Sequence, residues 1–199
     1  MNKEFWNERY GAAEYAYGKS PNEFLKSEAF RFSSKSKLLC IAEGEGRNAV
    51  FLATLGHDVT ALDFSEEALK KANLLAAEHN IQLKTIQADL NAYTFENEAW
   101  DGIVAVFALF PSSLRSKVHA QVSTALRPGG TLLLTAYDKQ QLSKNTGGPR
   151  DADMLYSGEE AIKDFGNFSE YTLSKRNPLI TEGQFHNGDS VVIELIAKK

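Results

Sequence analysis

The chain has 199 residues, 43% hydrophobic and 24% charged, with a formal net charge of -4 at pH 7. This composition is typical of one globular domain that buries its core without disulfides or metal. The acidic balance disfavours a general nucleic-acid or anionic-membrane surface. Cys40 is the single cysteine and the four histidines are dispersed, so neither an internal disulfide nor a metal site is expected.

The first residues, Met1 to Tyr10, are polar and charged. They lack the apolar stretch of a signal peptide or a membrane span, so we expect a cytoplasmic protein without a membrane partner.

Residues 1–30 are predicted to form an N-terminal helical lid. Residues 2–10 and 22–30 fit two short helices, and the aromatic loop between them contains Tyr17. Two interpretations stay open, since these aromatic residues either pack onto the main domain or cover a ligand. The second helix would direct three side chains inward: Phe24, Leu25 and Phe30.

A strand, a tight turn and a helix are predicted around two glycines. The apolar run Leu38 to Ile41 is followed by Gly44 and Gly46, and then by a helix-compatible segment from Ala49 to Leu55. Glycines allow a sharp turn and a close ligand approach, while free amides at the helix start favour an anionic group. About twenty residues later a second strand ends in Asp63, whose carboxylate can accept both hydroxyls of a ribose.

The alternation of strand and helix continues through the middle of the chain. Ser65 can cap a long helix, and further strands are predicted at 83–87, 101–107 and 131–136, with a helix over 111–125 between the last two. This pattern is typical of a doubly wound α/β sheet with helices on both faces.

The C-terminal part departs from the alternation. Residues 137–156 form a long polar segment, which we interpret as a substrate loop. A strand is predicted over 168–176, and Asn187-Gly188 is the expected turn before a last, antiparallel strand over 191–197.

Together, residues 38–136 resemble the class I S-adenosylmethionine-dependent methyltransferases. The final antiparallel pair fits the mostly parallel, seven-stranded sheet of that Rossmann-like fold, so residues 36–199 would be the α/β core of a single methyltransferase domain spanning 1–199. The Gly46-Arg47-Asn48 ending and the 146–149 loop are most similar to small bacterial enzymes of the tellurite-resistance and thiopurine methyltransferase type.

The resemblance implies S-adenosylmethionine as cofactor. The glycine turn would pass beneath its methionine part, Asp63 would hold the ribose and Phe64 would lie against the adenine, since an apolar ring suits a base. The implied cofactor-binding residues are Ala42, Glu43, Gly44, Gly46, Asn48, Asp63, Phe64, Ser65, Asp89, Leu90 and Phe107.

Two positions of the turn depart from the family pattern. Cys40 stands where an acid is common, and Ala42 where a glycine is common. Our hypothesis is that Glu43 or Glu45 replaces the missing carboxylate near the ammonium group of the cofactor. For Glu45 and Arg47, contact with the ligand and solvation at the helix start are weighted equally.

The function expected from these features is methyl transfer to a small molecule, such as a thiol or a chalcogen oxyanion. No catalytic residue is assigned, and the acceptor-side candidates are Tyr17, Arg150 and His186. The apolar stretch 107–111 lacks the polar residues of nucleic-acid amine methyltransferases, so no nucleic-acid partner is expected. The alternatives are a non-catalytic S-adenosylmethionine-binding protein and an NAD-dependent oxidoreductase, although residues 48–50 lack the third glycine of the latter.

Overall fold

The structure is a computed structural model that describes residues 2–199. It contains nine strands: β1 (Lys37–Ile41), β2 (Asp58–Asp63), β3 (Lys84–Gln87), β4 (Trp100–Val106), β5 (Leu126–Tyr137), β6 (Glu170–Arg176), β7 (Leu179–Glu182), β8 (His186–Asp189) and β9 (Val192–Lys198). It contains six α-helices: α1 (Lys3–Tyr10), α2 (Glu23–Glu28), α3 (Arg47–Thr54), α4 (Glu66–Glu78), α5 (Ser112–Ala125) and α6 (Gly158–Phe165). Short 3-10 turns lie at Ala29–Arg31, Lys139–Ser143 and Ala152–Met154.

Seven strands form one sheet in the order β3-β2-β1-β4-β5-β9-β6. β1 to β5 pair in parallel, whereas β9 pairs antiparallel with both β5 and β6. β7 and β8 form a separate antiparallel hairpin. The predicted fold class, a mostly parallel doubly wound sheet with an antiparallel last strand, is confirmed.

Alternating side chains of the central strands bury into two cores, one on each face of the sheet. Leu38 and Cys40 pack with residues of α2, α3 and α4, while Leu39 and Ile41 pack with residues of α5 and α6. Successive strand residues point to opposite faces. A continuous apolar strand therefore needs helices on both sides, as predicted.

The second N-terminal helix is shorter than expected, and this changes which aromatic residue enters the core. α2 ends at Glu28 and a 3-10 turn follows, which leaves Phe30 76% exposed and buries Phe32. Phe32 packs over Gly102, where an added Cβ would lie 2.4 Å from its ring. The inward orientation predicted for Phe30 is therefore wrong.

The predicted turn at Asn187-Gly188 is also wrong. These residues lie within β8, and the chain reverses at 183–185 instead. Gly188 serves a different purpose: its φ is +118°, and a Cβ there would lie 2.5 Å from Thr146. The glycine thus permits the 139–156 segment to approach the hairpin closely.

Within residues 2–199, no helix is both long enough and apolar enough to cross a membrane. The same residues hold no group of three His, Cys, Asp or Glu side chains that could bind a metal ion.

Candidate functional site

A cavity of about 150 Å³ lies past the carboxyl ends of β1 to β4. Open α/β sheets bind their ligands at this edge, in the crevice where the strand order reverses. In this sheet the reversal falls between β1 and β4. The lining residues are Trp6, Tyr10, Tyr17, Ala42, Glu43, Arg47, Asn48, Leu62, Asp63, Phe64, Ala88, Asp89, Leu90, Val106, Phe107, Leu109, Phe110, Pro111, Leu114, Met154 and His186.

Asp63 ends β2 and is held by two backbone amides. Gly44 N donates to its Oδ2 at 2.9 Å and Ser65 N donates to its Oδ1 at 2.8 Å. Burial raises the pKa of this carboxyl, although the amide hydrogen bonds oppose the shift. A carboxylate offers about four lone-pair positions. The positions that the amides leave free can accept hydroxyl groups of a ligand.

The two glycines of the turn adopt left-handed conformations with φ of +67° at Gly44 and +89° at Gly46. A Cβ at Gly46 would lie 2.6 Å from Ala72 Cβ, so this glycine lets α3 pack closely against α4. A Cβ at Gly44 would lie 2.9 Å from the hydroxyl oxygen of Tyr10. Neither glycine lines the cavity, but Gly44 lies against Tyr10, which does.

Glu43 caps α3. Its Oε1 accepts hydrogen bonds from Asn48 N at 2.9 Å and Ala49 N at 2.8 Å. The amides at the helix start are thereby used within the protein. Burial raises the pKa of Glu43 to about 7, against the lowering effect of these bonds and of Arg47.

Glu45 lies apart from the cavity lining. Its Oε1 is 2.7 Å from Lys71 Nζ, and its Oε2 accepts a hydrogen bond from Ala16 N at 2.8 Å. Of the two carboxylates that we considered for the ammonium group, Glu43 is the one that lines the cavity.

The N-terminal segment supplies an aromatic wall. Trp6 and Tyr10 stack with ring centroids 5.4 Å apart, and both line the cavity together with Tyr17. α1 is fixed to the start of α4, because Ser65 Oγ donates a hydrogen bond to Asn7 Oδ1 at 2.6 Å.

The β7–β8 hairpin contributes His186 to the lining, and its Glu182 contacts three residues of or near the site. The carboxylate of Glu182 lies 2.7 Å from Arg47 Nη2, accepts a hydrogen bond from Asn22 Nδ2 at 2.8 Å and lies 3.5 Å from His186 Nδ1. Burial would raise the pKa of Glu182, but these three neighbours outweigh it and hold the pKa at about 2.

His186 is a buried imidazole between aromatic rings. Its ring centroid lies 4.3 Å from that of Tyr17 and 4.7 Å from that of Phe107. Burial lowers its pKa, and the Glu182 carboxylate only partly opposes this effect. Burial therefore favours the neutral imidazole, which can accept a proton.

Most of the residues singled out from the sequence come together at the cavity. Those that line it are Tyr17, Ala42, Glu43, Asn48, Asp63, Phe64, Asp89, Leu90, Phe107 and His186. Ser65, Gly44 and Gly46 are not lining residues. Ser65 donates a backbone hydrogen bond to Asp63 and caps α4. Arg150 is exposed and hydrogen-bonds only to Asn145 among the described residues, so it lies away from the cavity. The 137–156 segment reaches the lining through Met154.

Sequence reasoning missed the pairing of Arg47 with Glu182. A signal existed for Arg47, because a cation in the first turn of a helix opposes the helix dipole and suggests a specific partner. The sequence contains no comparable signal for Glu182, since the hairpin that carries it was not predicted.

Comparison with protein families agrees with this geometry. Residues 38–130, just under half of the chain, match the family described as "Methyltransferase domain". The matched segment runs from β1 into β5 and so contains the glycine turn, Asp63 and Asp89.

Two relatives share sequence with the chain over part of their length. Hemagglutinin 1 of Eikenella corrodens is 30% identical over 138 residues, which cover 68% of this chain and 46% of that protein. The probable S-adenosyl-L-methionine-dependent methyltransferase TehB of Haemophilus influenzae is 33% identical over 78 residues, covering 39% of this chain and 27% of TehB. The chain therefore spans less than half of these relatives.

Solved structures share the fold. The structure described as "Conversion of a Disulfide Bond into a Thioacetal Group during Echinomycin Biosynthesis" aligns with a TM-score of 0.77 at 16% identity, over 99% of this chain and 92% of that one. TehB from Haemophilus influenzae aligns with a TM-score of 0.70 at 19% identity, over 99% of this chain and 66% of that one.

Residues 38–130 thus match a methyltransferase domain, and the predicted resemblance to class I S-adenosylmethionine-dependent methyltransferases is confirmed. S-adenosylmethionine is the cofactor of that class.

Proposed function

We propose that this protein transfers a methyl group from S-adenosylmethionine to a small-molecule acceptor, such as a thiol or a chalcogen oxyanion. The observation that carries the proposal is the cavity at the carboxyl ends of the strands. It combines Asp63 and Asp89 with six aromatic side chains, and it lies beside a glycine turn that matches a methyltransferase family.

The lining suits an adenosyl sulfonium. Asp63 has acceptor positions for the ribose hydroxyls, Phe64 would lie against the adenine, and Asp89 with Leu90 would meet the edge of the base. The positive sulfonium would lie among aromatic rings and near Glu43, since both ring faces and carboxylates attract a cation. The ammonium group of the cofactor would then be close to Glu43 rather than Glu45.

The reaction needs alignment more than acid-base chemistry. A lone pair of the acceptor forms a bond to the methyl carbon while the methyl–sulfur bond breaks, and the bonding electron pair leaves with sulfur as a neutral thioether. Charge is dispersed in this step, so a dry and well-oriented site accelerates it. Tyr17 and His186 are the acceptor-side residues in this proposal, and neutral His186 could take the proton of a thiol.

Residues 1–30 would act as a lid over an α/β core formed by residues 36–199. Trp6, Tyr10 and Tyr17 support this assignment, because all three line the cavity from outside the sheet. The cytoplasmic location stays a prediction from the sequence.

Calorimetry on the purified chain tests cofactor binding. We expect S-adenosylmethionine and S-adenosylhomocysteine to bind, and Asp63→Asn to weaken binding about tenfold or more, since hydrogen bonds to a charged group contribute about 1.5–3 kcal/mol. Asp58→Asn is the matched control, because Asp58 lies at the other end of β2 and pairs with Lys84. Absence of binding by the unaltered chain would reject the proposal.

Transfer of a labelled methyl group separates an enzyme from a non-catalytic binder. A panel of thiols, oxyanions and amines should yield at least one methylated product, whereas binding without transfer to any of them would favour the binder. Nicotinamide cofactor binding without affinity for S-adenosylmethionine would favour an oxidoreductase, which the family match does not support.

A further inference from the structure

A second cavity adjoins the first one on the side of the hairpin. It encloses about 310 Å³ between residues 17–24, β7 and the ends of β5 and β9. By the same measure it is larger than the first cavity. Tyr17, Arg47 and Phe107 line both cavities and therefore form the partition between them.

Arg47 lies in this partition and is 7% exposed. Only part of its hydrogen-bonding capacity is used. Nη2 pairs with Glu182 at 2.7 Å, but Nη1 has no hydrogen-bond partner among residues 2–199. Buried donors are rarely left without a partner, because an unmade hydrogen bond costs about 1–3 kcal/mol. An orphaned guanidinium N–H at a cavity wall is therefore a candidate contact for a ligand.

The charges around Arg47 indicate what kind of ligand group it would meet. In the described part of the chain, Arg47 is the only Lys or Arg that lines the first cavity. The second cavity also contains Lys19, but Lys19 pairs with Glu78 at 2.7 Å and its side chain is 45% exposed. The acids that line the second cavity are Glu23, Glu182 and Glu194, and each has a cationic partner, in Lys26, Arg47 and Arg176 respectively. Since Glu43 already occupies the amides at the start of α3, Arg47 Nη1 is the cationic donor left for an anion.

Two groups could use this donor, namely the carboxylate of the cofactor and an anionic acceptor. The position of Arg47 favours the acceptor. The acids that suit the cofactor, Asp63 and Asp89, line only the first cavity, whereas Arg47 also faces the second one. Its partners in the partition, Tyr17 and Phe107, both pack against the acceptor-side His186.

We propose that the second cavity is the acceptor chamber and that Arg47 Nη1 binds a negatively charged oxygen or chalcogen of the acceptor. The protein would then select small anionic acceptors and orient them towards the sulfonium across the partition. Glu182 is the positioning residue, because it holds the other guanidinium nitrogen. This inference rests on the proposed function and narrows its acceptor class.

Calorimetric titration with selenite, as a small oxyanion probe, tests the inference in the presence of saturating S-adenosylhomocysteine. The test variant is Arg47→Gln/Glu182→Gln, which removes both members of the buried pair and leaves no unpaired charge. The matched control is Glu28→Gln/Arg31→Gln, which removes another Arg–Glu pair. In that pair Arg31 Nε lies 2.6 Å from Glu28 Oε2, and neither residue lines either cavity. Circular dichroism and melting curves establish that both variants are folded. If the test variant does not fold, Arg47→Lys takes its place, because a single ammonium that pairs with Glu182 cannot also reach the position of Nη1.

We expect the unaltered chain and the control to bind selenite, and the test variant to bind it about tenfold or more weakly, as a charge-assisted contact requires. Affinity for S-adenosylhomocysteine should change less than about twofold in all variants, because the contacts of the cofactor lie elsewhere. Equal selenite binding by test and control variants, or none by the unaltered chain, would overturn the inference.

A parallel loss of S-adenosylhomocysteine affinity would also overturn it, because Arg47 would then hold the carboxylate of the cofactor. These outcomes differ from the result expected if the proposed function itself is wrong. If it is wrong, the unaltered chain would not bind S-adenosylhomocysteine at all.

Discussion

Two strained backbone positions flank the candidate site at the residue scale. Ala42 and Phe107 adopt φ of +48° and +50°, in the left-handed region that glycine favours. Each follows the end of a central strand, and each lines the first cavity. Phe107 is held there by a hydrogen bond from its amide to Thr135 O and by stacking on Tyr137. Strain of about 1–3 kcal/mol per residue is therefore concentrated where the ligand would bind.

Replacing Ala42 with glycine should relieve part of this strain. We expect Ala42→Gly to raise the free energy of unfolding by up to about 1 kcal/mol, because glycine adopts positive φ freely but loses more entropy on folding. For a domain of this size, that is a rise in melting temperature of roughly 2–4 °C.

The matched control is Ala120→Gly, at an exposed position in the middle of α5. It should lower stability by about 1 kcal/mol, as glycine does in a helix interior. Thermal unfolding of the ligand-free chain measures both changes, and equal losses in the two variants would contradict the interpretation of Ala42.

At the scale of elements, the β7–β8 hairpin and the 11–22 loop are joined by hydrogen bonds. Gln184 N donates a hydrogen bond to Ala16 O at 2.9 Å, and Asn22 Nδ2 donates one to Glu182 at 2.8 Å. These contacts join segments about 160 residues apart. The hairpin thus completes the site although it lies outside the seven-stranded sheet.

A substitution at Gly183 tests how much the contact between the hairpin and the loop contributes to stability. Its φ is +62°, and a Cβ there would lie 2.5 Å from Ala16 O and from Gly18 N. Gly183→Ala should therefore separate the hairpin from the loop. The change would be seen as faster hydrogen exchange at residues 16–22 and as a lower melting temperature.

Gly56→Ala is the control for backbone strain alone. Gly56 has φ of +89°, and no described atom lies within 4 Å of an added Cβ. It should show only the left-handed penalty of about 1–2 kcal/mol. If both variants lose the same stability and exchange at 16–22 is unchanged, the contact between the hairpin and the loop has no energetic importance.

At the scale of the whole molecule, stability is expected to be uneven. The central strands are buried between two cores, whereas α1 and the hairpin have few buried residues and lie over the cavity. Segments with few buried contacts open with the lowest free energies. The elements that would cover a ligand are therefore those most able to move.

Hydrogen exchange with and without S-adenosylhomocysteine tests the proposed lid. Binding should slow exchange at residues 2–18 and 179–189, because a ligand stabilises the closed form that holds it. Exchange in β1, β4 and β5 should change least, since these strands are already buried. Binding that leaves residues 2–18 unchanged would show that this segment packs onto the domain without covering the ligand.

The sequence alone determined the features that depend on local pattern. Continuous apolar runs such as Leu38 to Ile41 predicted buried strands, and alternation with amphipathic helices predicted parallel pairing. Because parallel strands end at one edge, the positions of Gly44 and Asp63 in the chain were enough to predict a common site. These predictions needed only periodicity and spacing, whereas Asp89 was assigned to the site through the family resemblance.

Only the tertiary structure decided which distant residues meet. Arg47 and Glu182 are 135 positions apart, and neither local propensity nor periodicity encodes their contact. Phe30 and Phe32 are equally apolar, and the 3-10 turn that ends α2 determines which of them is buried. Long-range pairs depend on how complete elements pack, so the partition between the two cavities could not be predicted from local pattern.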